Sequence, residues 1–281
     1  MVYPAKIRGK VSKEELEELY HEKKMSMKQI AELYRCNYNA VRNYMVLLGI
    51  TPRKITEAHA LASPKSVNEH FFSKWSNEVA YILGIIITDG SFDNKTGNLR
   101  ISMTDVDVIQ GVAEAMELKN GLSYVKKKKN HKQQLKLSIC RSQIINDLRQ
   151  LGVTVDGTKT FKQKFIDIPA QYRSHFIRGI FDGDGSIVVR QRKLKTGIFT
   201  SKELTIITTS SYSLAKGVCN TMYEDLNIKL DVYHQIKATT KQADVYRVNL
   251  YSKENVHKFF NYIYKDKDYL FMHRKYAKFL E

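Results

Sequence analysis

Cysteine and proline are scarce in this sequence: among its 281 residues, three are cysteine and four are proline. The cysteines Cys36, Cys140 and Cys219 show no spacing typical of a metal or redox site, and they indicate isolated reduced thiols. The eight histidines form no ligand pattern such as HExxH. The sequence therefore argues against a disulfide scaffold and against a metal site built from these two residue types.

Long apolar runs are also missing. No segment approaches the uninterrupted apolar length of a membrane span, and the start, MVYPAKIRGK, lacks the apolar core of a signal peptide. Hydrophobic residues still make up 43% of the chain, which is enough for a buried core. We therefore expect no membrane association, and either a cytoplasmic protein of a prokaryote or phage or an organellar protein.

Acidic residues are outnumbered, with 29 Asp and Glu against 46 Lys and Arg. The formal net charge is +17 and the isoelectric point is near 9.6. A folded chain this basic usually binds a polyanion. The lysines lie in several separate stretches and not on one basic amphipathic helix, so nucleic acid is favoured over a membrane surface.

Residues 12–50 have the pattern of short helices, in which Ser26 caps one helix and Gly49 ends another. The expected apolar faces contain Ile30, Ala31 and Leu33 in one helix and Val41, Tyr44, Leu47 and Leu48 in the next. The second helix would turn outward the polar residues Asn37, Asn39, Arg42 and Asn43. With a tight break near Cys36, this resembles a helix-turn-helix with Arg42 and Asn43 on DNA, although an ordinary helical hairpin is the alternative. We assign 1–50 to this domain and 51–72 to a linker.

From residue 73 the chain repeats itself. The stretches AYILGIIITDGS (80–91) and HFIRGIFDGDGS (175–186) share an apolar run closed by Asp-Gly-Ser. Further along, VIQGVAEAM (108–116) and LAKGVCNTM (214–222) match at a constant offset of 106. The strand and helix signals predict an α+β protein with two αββαββα repeats, at 73–170 and 171–281, related by a pseudo-two-fold axis after gene duplication.

Each repeated motif has a glycine five residues before its aspartate: Gly84 with Asp89, and Gly179 with Asp184. Glycine costs about 1 kcal/mol in a helix interior, a cost that close approach of two backbones can offset. If the two helices pack at these glycines, their C-terminal ends and both aspartates meet. Carboxylates at two negative helix ends would form a strongly negative position that favours divalent cations, and oxygen-only ligands favour Mg²⁺. Such ions between carboxylates and phosphates support phosphodiester hydrolysis. A single motif alone would indicate only a buried helix with an Asp-Gly turn.

At these residues a family can be named: ILGIIITDG (82–90) and IRGIFDGDG (177–185) resemble the LAGLIDADG signature of homing endonucleases. The resemblance implies that Asp89 and Asp184 are the metal-binding catalytic aspartates, and that Thr88 and Gly183 help to hold metal through their backbone carbonyls. The signature's first acidic position, which varies, is Ile87 in one copy and Asp182 in the other. The resemblance also implies Mg²⁺ as the cofactor, with Mn²⁺ substituting for it and Ca²⁺ binding without supporting cleavage.

The resemblance further implies a saddle of two sheets on double-stranded DNA, with a long, largely asymmetric target site bound by a monomer. Arg100 and Ser102 alternate with apolar neighbours and should face DNA, and the basic hairpins should follow the major groove. The remaining expected contacts in the repeats are Lys126, Lys128, Lys136, Arg190, Arg192, Lys195, Lys237, Lys241 and Arg247.

The chain departs from the family in one respect. Some relatives have lysine or glutamine after the first strand pair, where this chain has Thr104 and Ser210. Each repeat closes instead with a basic segment, at 158–165 and 271–279, and we select Lys159 and Lys275 as accessory catalytic groups. Phosphate contact or simple solvation is the alternative for both lysines.

Together these features predict a single-chain, site-specific DNA endonuclease that makes a staggered double-strand break. Two other classes stay open: a transcription regulator without catalysis on the same fold, and a maturase that binds intron RNA. The sequence starts with Met and ends with KFLE, without the initial Cys or Ser and the terminal His-Asn of an intein. We therefore expect a free-standing or intron-encoded enzyme.

Overall fold

The structure, a computed structural model, describes residues 7–53, 66–93, 97–126, 132–155, 162–194, 197–236, 243–265 and 270–281, with the backbone alone at 191–194 and 197–200. The chain divides into two units, Met1–Lys65 and Ser66–Glu281. Within the described ranges, no helix has the length and apolarity to cross a membrane.

The first unit is a small cluster of helices: α1 (Lys13–Glu17) continued by a π-helical turn (Glu18–Glu22), α2 (Met27–Leu33) and α3 (Tyr38–Leu47). Ser26 caps α2 in a reciprocal capping box with Gln29, as its position predicted. Gly49 follows α3 with φ +68°, a left-handed conformation in which glycine is preferred. The core of this unit includes Leu16, Ile30, Val41 and Met45.

Two residues expected in the apolar faces of this unit lie outside its core. Leu33 is 57% exposed and Leu47 is 61% exposed. Leu47 lies about 120° around the helix axis from Val41, whereas Met45 lies close to the direction of Val41 and is fully buried. The prediction of these faces was therefore wrong at Leu33 and Leu47, because both lie on the flank of a narrow buried stripe.

The predicted linker is shorter than 51–72. Residues 66–72 pack within the second unit, where the amide of Asn68 donates to the carbonyl of Met116 at 2.9 Å and Phe72 is buried. The second unit therefore begins at Ser66, and the stretch 54–65 lies outside the described residues.

The second unit contains two αββαββα repeats, as the sequence predicted. The first comprises α4 (Asn77–Asp89), β1 (Gly90–Phe92), β2 (Leu99–Met103), α5 (Val106–Ala115), β3 (Leu122–Tyr124), β4 (Leu135–Ile139) and α6 (Ser142–Gln150). The second comprises α7 (Arg173–Asp184), β5 (Ser186–Leu194), β6 (Gly197–Thr209), α8 (Tyr212–Leu226), β7 (Val232–Gln235), β8 (Val245–Leu250) and α9 (Lys253–Tyr264), and is followed by α10 (His273–Leu280). Short 3₁₀ turns lie at Phe71–Ser73 and Ala170–Tyr172.

Each repeat forms an antiparallel sheet, with strand orders β1-β2-β4-β3 and β5-β6-β8-β7. The registers are equivalent toward the ends of β2 and β6, where Lys136 lies opposite Ser102 and Arg247 lies opposite Thr208, and a bulge between Thr205 and Ile207 shifts the register before them. The first hairpin is longer in the second repeat, where β5 has 9 residues and β6 has 13, against 3 for β1 and 5 for β2. This insertion explains why the motifs are 95 positions apart while the following helices are 106 apart.

The segment that closes each repeat packs against a helix of the other repeat. A Cβ added to Gly217 of α8 would lie 2.1 Å from Cγ of Phe165, which belongs to the segment closing the first repeat. A Cβ added to Gly111 of α5 would lie 2.5 Å from Cδ2 of Leu270, which follows the second repeat. The repeated glycines of these helices thus leave room for an apolar side chain from the opposite repeat.

Candidate active site

The helices α4 and α7 lie at the centre of the second unit because apolar side chains surround them. Every residue of α4 from Val79 to Ile87 is buried, and Ser76 caps its first turn by accepting from the amide of Val79 at 3.1 Å. A helix that is apolar on all sides belongs in the interior of a protein. Both helices end at an aspartate, Asp89 in α4 and Asp184 in α7.

The two helices touch through backbone atoms at their glycines. A Cβ on Gly84 would lie 2.6 Å from the carbonyl oxygen of Phe176, and a Cβ on Gly179 would lie 2.2 Å from that of Tyr81. The latter would also lie 3.0 Å from the Cα of Gly84. The structure thus places Gly84 and Gly179 against each other, at the interface where the sequence located them.

The ends of the two motifs meet. A Cβ on Gly183 would lie 2.6 Å from Oδ2 of Asp89 and 2.0 Å from Oγ1 of Thr88. Oγ1 of Thr88 donates to the carbonyl of Gly84 or Ile85, at 3.0 and 3.1 Å, and lies 3.2 Å from Oδ2 of Asp89. The carboxylate of one motif therefore lies beside the backbone of the other, at the position where both helices end.

The oxygen donors at this position suit a hard divalent cation. Across the parts of the chain that the structure describes, no group of three or more His, Cys, Asp or Glu residues could hold a metal ion by itself. If the two aspartates and the carbonyls of Thr88 and Gly183 bound one metal site together, as the sequence predicted, all of these ligands would be oxygen atoms, which fits Mg²⁺ or Ca²⁺ better than Zn²⁺. Such a set is incomplete without further oxygen ligands, which phosphates of a bound nucleic acid can provide.

Lys275 is buried beside these helix ends. It is 4% exposed, and its Nζ donates to the carbonyls of Phe181, Asp182 and Gly185 at 2.6, 2.8 and 2.6 Å. Burial lowers the pKa of Lys275 to about 8, against the attraction of Asp182 and, more weakly, of Asp89 and Asp184. The other lysine selected from the sequence, Lys159, lies outside the described residues.

Asp182 is a residue whose importance the sequence did not show. It is fully buried, and its Oδ2 accepts from the hydroxyl of Tyr81 at 2.9 Å and from the amide of Met272 at 2.8 Å. Burial raises the pKa of Asp182 to about 6, in opposition to the attraction of Lys275. The only signal in the sequence is an acidic residue inside an apolar helix.

Arg178 of α7 is also buried, and it donates to the carbonyl of Ile263 at 2.8 Å.

The predicted DNA contacts in the strands lie on the sheet faces turned away from the core, where these residues are described. In β2, Leu99, Ile101 and Met103 are buried while Arg100 and Ser102 alternate with them on the other face. Arg100 pairs with Asp93 and Arg190 with Glu203, each at 3.0 Å. Lys126 is exposed, and Lys136 and Arg247 are partly exposed. Lys128, Lys195, Lys237 and Lys241 lie outside the described residues, as does the side chain of Arg192.

Tyr233 is a candidate contact that the sequence analysis missed. It lies opposite Arg247 in the β7–β8 pair and is 55% exposed. Residues directly opposite in a sheet share a face, so Tyr233 belongs to the same face as Arg247. A tyrosine in a basic hairpin was the available signal.

In the first unit, Arg42 and Asn43 are exposed on α3, as predicted. Asn39 is also exposed, whereas the side chain of Asn37 caps α3 by accepting from the amide of Ala40 at 2.7 Å. Asn37 is therefore used by its own helix and is a weaker candidate for a contact with a ligand.

Comparisons with known proteins agree with this fold. The model of the LAGLIDADG-like domain matches residues 76–151 and 171–264. An uncharacterized protein of Methanocaldococcus jannaschii is 25% identical over 186 residues, which are 64% of this chain and 65%, less than two thirds, of that relative's length.

Similar solved structures include I-SmaMI bound to uncleaved DNA target with calcium ions, with 14% identity over 74% of this chain and 89% of that chain and a TM-score of 0.46. Another is I-DmoI in complex with DNA and Mn, with 17% identity over 68% of this chain and 97% of that chain and a TM-score of 0.43. The N-terminal LAGLIDADG domain of DUF199/WhiA has 14% identity over 76% of this chain and 91% of that domain, with a TM-score of 0.43.

The family match covers most of both repeats and more than half of the chain. Its two segments include both motif helices and the strands and helices that follow them. This chain is therefore a member of the LAGLIDADG family with two motifs in one polypeptide.

Proposed function

We propose that this protein is a site-specific double-strand DNA endonuclease of the homing type. The observation that carries the proposal is the convergence of two acidic helix ends, with Asp89 of one motif against Gly183 of the other. An isolated carboxylate at a helix C-terminus is unfavourable. Two such carboxylates at converging helix ends in a protein of net charge +17 are best explained by a cationic ligand at this position and a polyanionic substrate.

In this proposal Asp89 and Asp184 hold divalent ions, helped by the carbonyls of Thr88 and Gly183. Mg²⁺ is the expected ion, with Mn²⁺ substituting for it and Ca²⁺ binding without supporting cleavage. Bound divalent ions would supply polarisation of the phosphate and activation of water for phosphodiester hydrolysis. The task of the protein would be to place the two carboxylates within reach of both strands, and the backbone contact at Gly84 and Gly179 supports this role by bringing the two helices together.

The two sheets would bind the DNA on either side of this position. Arg100, Ser102, Lys136 and Arg247 lie on the faces turned away from the core, where they can contact base edges and phosphates. The hairpin of β5 and β6 is longer than that of β1 and β2. Because the repeats differ in length and side chains, we expect a monomer to bind a long, asymmetric target site.

The first unit would extend the contact with DNA. Its helices α2 and α3 have the order and the tight connection of a helix-turn-helix, and α3 exposes Arg42 and Asn43. We propose that α3 enters a major groove. A regulator without catalysis, or a maturase that binds intron RNA, would have the same fold, but neither role requires the two convergent aspartates.

The decisive experiment incubates the protein with Mg²⁺ and intron-free genomic DNA and maps breaks by sequencing. The proposal predicts staggered double-strand breaks at one or a few sites. Asp89→Asn or Asp184→Asn should abolish cleavage while DNA binding persists, and Asp167→Asn, the same change at an exposed position, should cleave normally. Intact DNA with the unchanged protein, or full cleavage by either of the first two variants, would contradict the proposal.

A further inference from the structure

The C-terminal end of α7 is bound by an ammonium group. The last carbonyls of a helix have no partner within it and carry partial negative charge. At α7 three carbonyls near this end, those of Phe181, Asp182 and Gly185, accept from Nζ of Lys275 at 2.6 to 2.8 Å, and that of Phe181 also accepts from the amide of Gly185. A lysine has three donors, so these bonds use its full capacity. Lys275 therefore compensates the end of the helix that carries Asp184.

The segment that carries Lys275 is held by both repeats. Its Met272 amide donates to Asp182 of α7, which in turn accepts from Tyr81 of α4. On the opposite side, Arg274 donates through two nitrogens to Asp105, and Nδ1 of His273 lies 2.8 Å from Asp107. Asp105 precedes α5 in the first repeat, and Asp107 belongs to its first turn. Lys275 is thus placed by contacts that span the interface between the repeats.

We propose that Lys275 is a positioning residue: it holds the carbonyl end of α7, and with it Asp184, in the arrangement required for cleavage, and it does not contact the DNA. This inference rests on the endonuclease function proposed above. A direct contact with a phosphate would require the buried ammonium to break three hydrogen bonds to carbonyls. Lys275 therefore has a different role from the basic residues of the sheets, which would neutralise phosphates.

The test compares Lys275→Met with Lys278→Met in the full-length protein. Both variants lose one lysine from α10, but Lys278 donates to the carbonyl of Ile187 in β5, at 3.4 Å, and not to the end of α7. Lys275→Gln, which keeps two N–H donors without a charge, serves as a second variant if Lys275→Met does not fold. Thermal unfolding first establishes a temperature at which all variants are folded.

Three measurements follow at that temperature. Amide hydrogen exchange at residues 181–185 should accelerate about tenfold in Lys275→Met and stay unchanged in Lys278→Met. Single-turnover cleavage should fall by about tenfold or more, since small displacements of catalytic groups cost this much. DNA affinity without divalent ions, and its dependence on salt, should stay unchanged, because a lost phosphate contact would lower the salt slope by about one.

A Lys275→Met protein that cleaves like Lys278→Met would overturn the proposal. So would a lowered salt slope, which would show that Lys275 binds phosphate. If the unchanged protein cleaves no DNA, the endonuclease function fails on its own. The exchange measurement then still decides the positioning role, since normal exchange at 181–185 in Lys275→Met would refute it.

Discussion

The hydroxyl of Tyr81 donates a 2.9 Å hydrogen bond to Oδ2 of Asp182, which joins the two motif helices inside the protein. Both residues are fully buried. Asp182 also receives the amide of Met272, so one carboxylate connects both motif helices with the C-terminal segment. Asp182 lies two residues before Asp184 in the chain. This buried network therefore holds the part of α7 next to the candidate active site.

Tyr81→Phe should therefore destabilise the protein. The change removes one of the two donors to a buried carboxylate, and a buried group that loses its partner costs about 1–3 kcal/mol. The free energy of unfolding in denaturant measures the effect. Tyr223→Phe is the control, because Tyr223 is 58% exposed. Equal stability of the two variants would show that the bond contributes nothing.

Gly179→Ala should be far more harmful than Gly111→Ala, although both glycines are in helices. The new Cβ of the first variant would lie 2.2 Å from the backbone of Tyr81, whereas that of the second would meet the end of the Leu270 side chain. A side chain can move aside and a packed helix backbone cannot, so we expect a loss of about 3 kcal/mol or more for Gly179→Ala. The free energy of unfolding in denaturant compares the two variants, and losses of similar size would contradict the tight helix contact.

Gly183→Ala should impair cleavage more than folding. Its Cβ would displace Oγ1 of Thr88 and the carboxylate of Asp89, which lie 2.0 and 2.6 Å from that position. A shift of this size in a reacting group lowers rates by about a hundredfold. Single-turnover cleavage and DNA binding should be measured together. Normal cleavage in a folded Gly183→Ala protein would contradict the close packing of Gly183 against Thr88 and Asp89.

Lys136→Gln and Arg247→Gln should each weaken DNA binding at every sequence. If each side chain contacts a phosphate, the slope of log affinity against log salt falls by about one per variant. Lys278→Gln, which removes a charge from α10, should leave the slope unchanged. Binding titrations at four or more salt concentrations decide the matter, and an unchanged slope for both sheet variants would place the DNA elsewhere.

The free energy of unfolding of the first unit should fall at high pH, because the hydroxyl of Tyr34 loses its proton there. Burial and the 2.6 Å bond to Glu15 raise the pKa of Tyr34 to about 12 from its usual 10.0. The unfolded state therefore releases this proton first, so the contribution is complete below pH 10.0 and is lost as the pH rises to about 12. Absorbance of tyrosinate and thermal unfolding across this range test it. Tyr34→Phe should lack this loss, and an identical pH profile would contradict the assignment.

The sequence predicted the repeats, their order of helices and strands, and the glycines at the helix contact. These features are visible because burial imposes a period on each strand and helix, and because a glycine in an apolar helix is costly unless a backbone approaches it. Gene duplication made the signal stronger, since Asp89 and Asp184 occur at equivalent positions with equivalent neighbours. The choice of Lys275 also came from the sequence, but only as one of several basic residues near the end.

Contacts between segments that are distant in the chain were determined only by the tertiary structure. The sequence alone determined that two acidic helix ends exist and that apolar side chains bring them together. It did not show that the closing segment of each repeat packs on the other, nor that Lys275 gives its three donors to α7 and that Asp182 binds Met272. Such contacts join residues about fifty or more positions apart, and their partners follow from distances in the folded chain, to which local periodicity is insensitive.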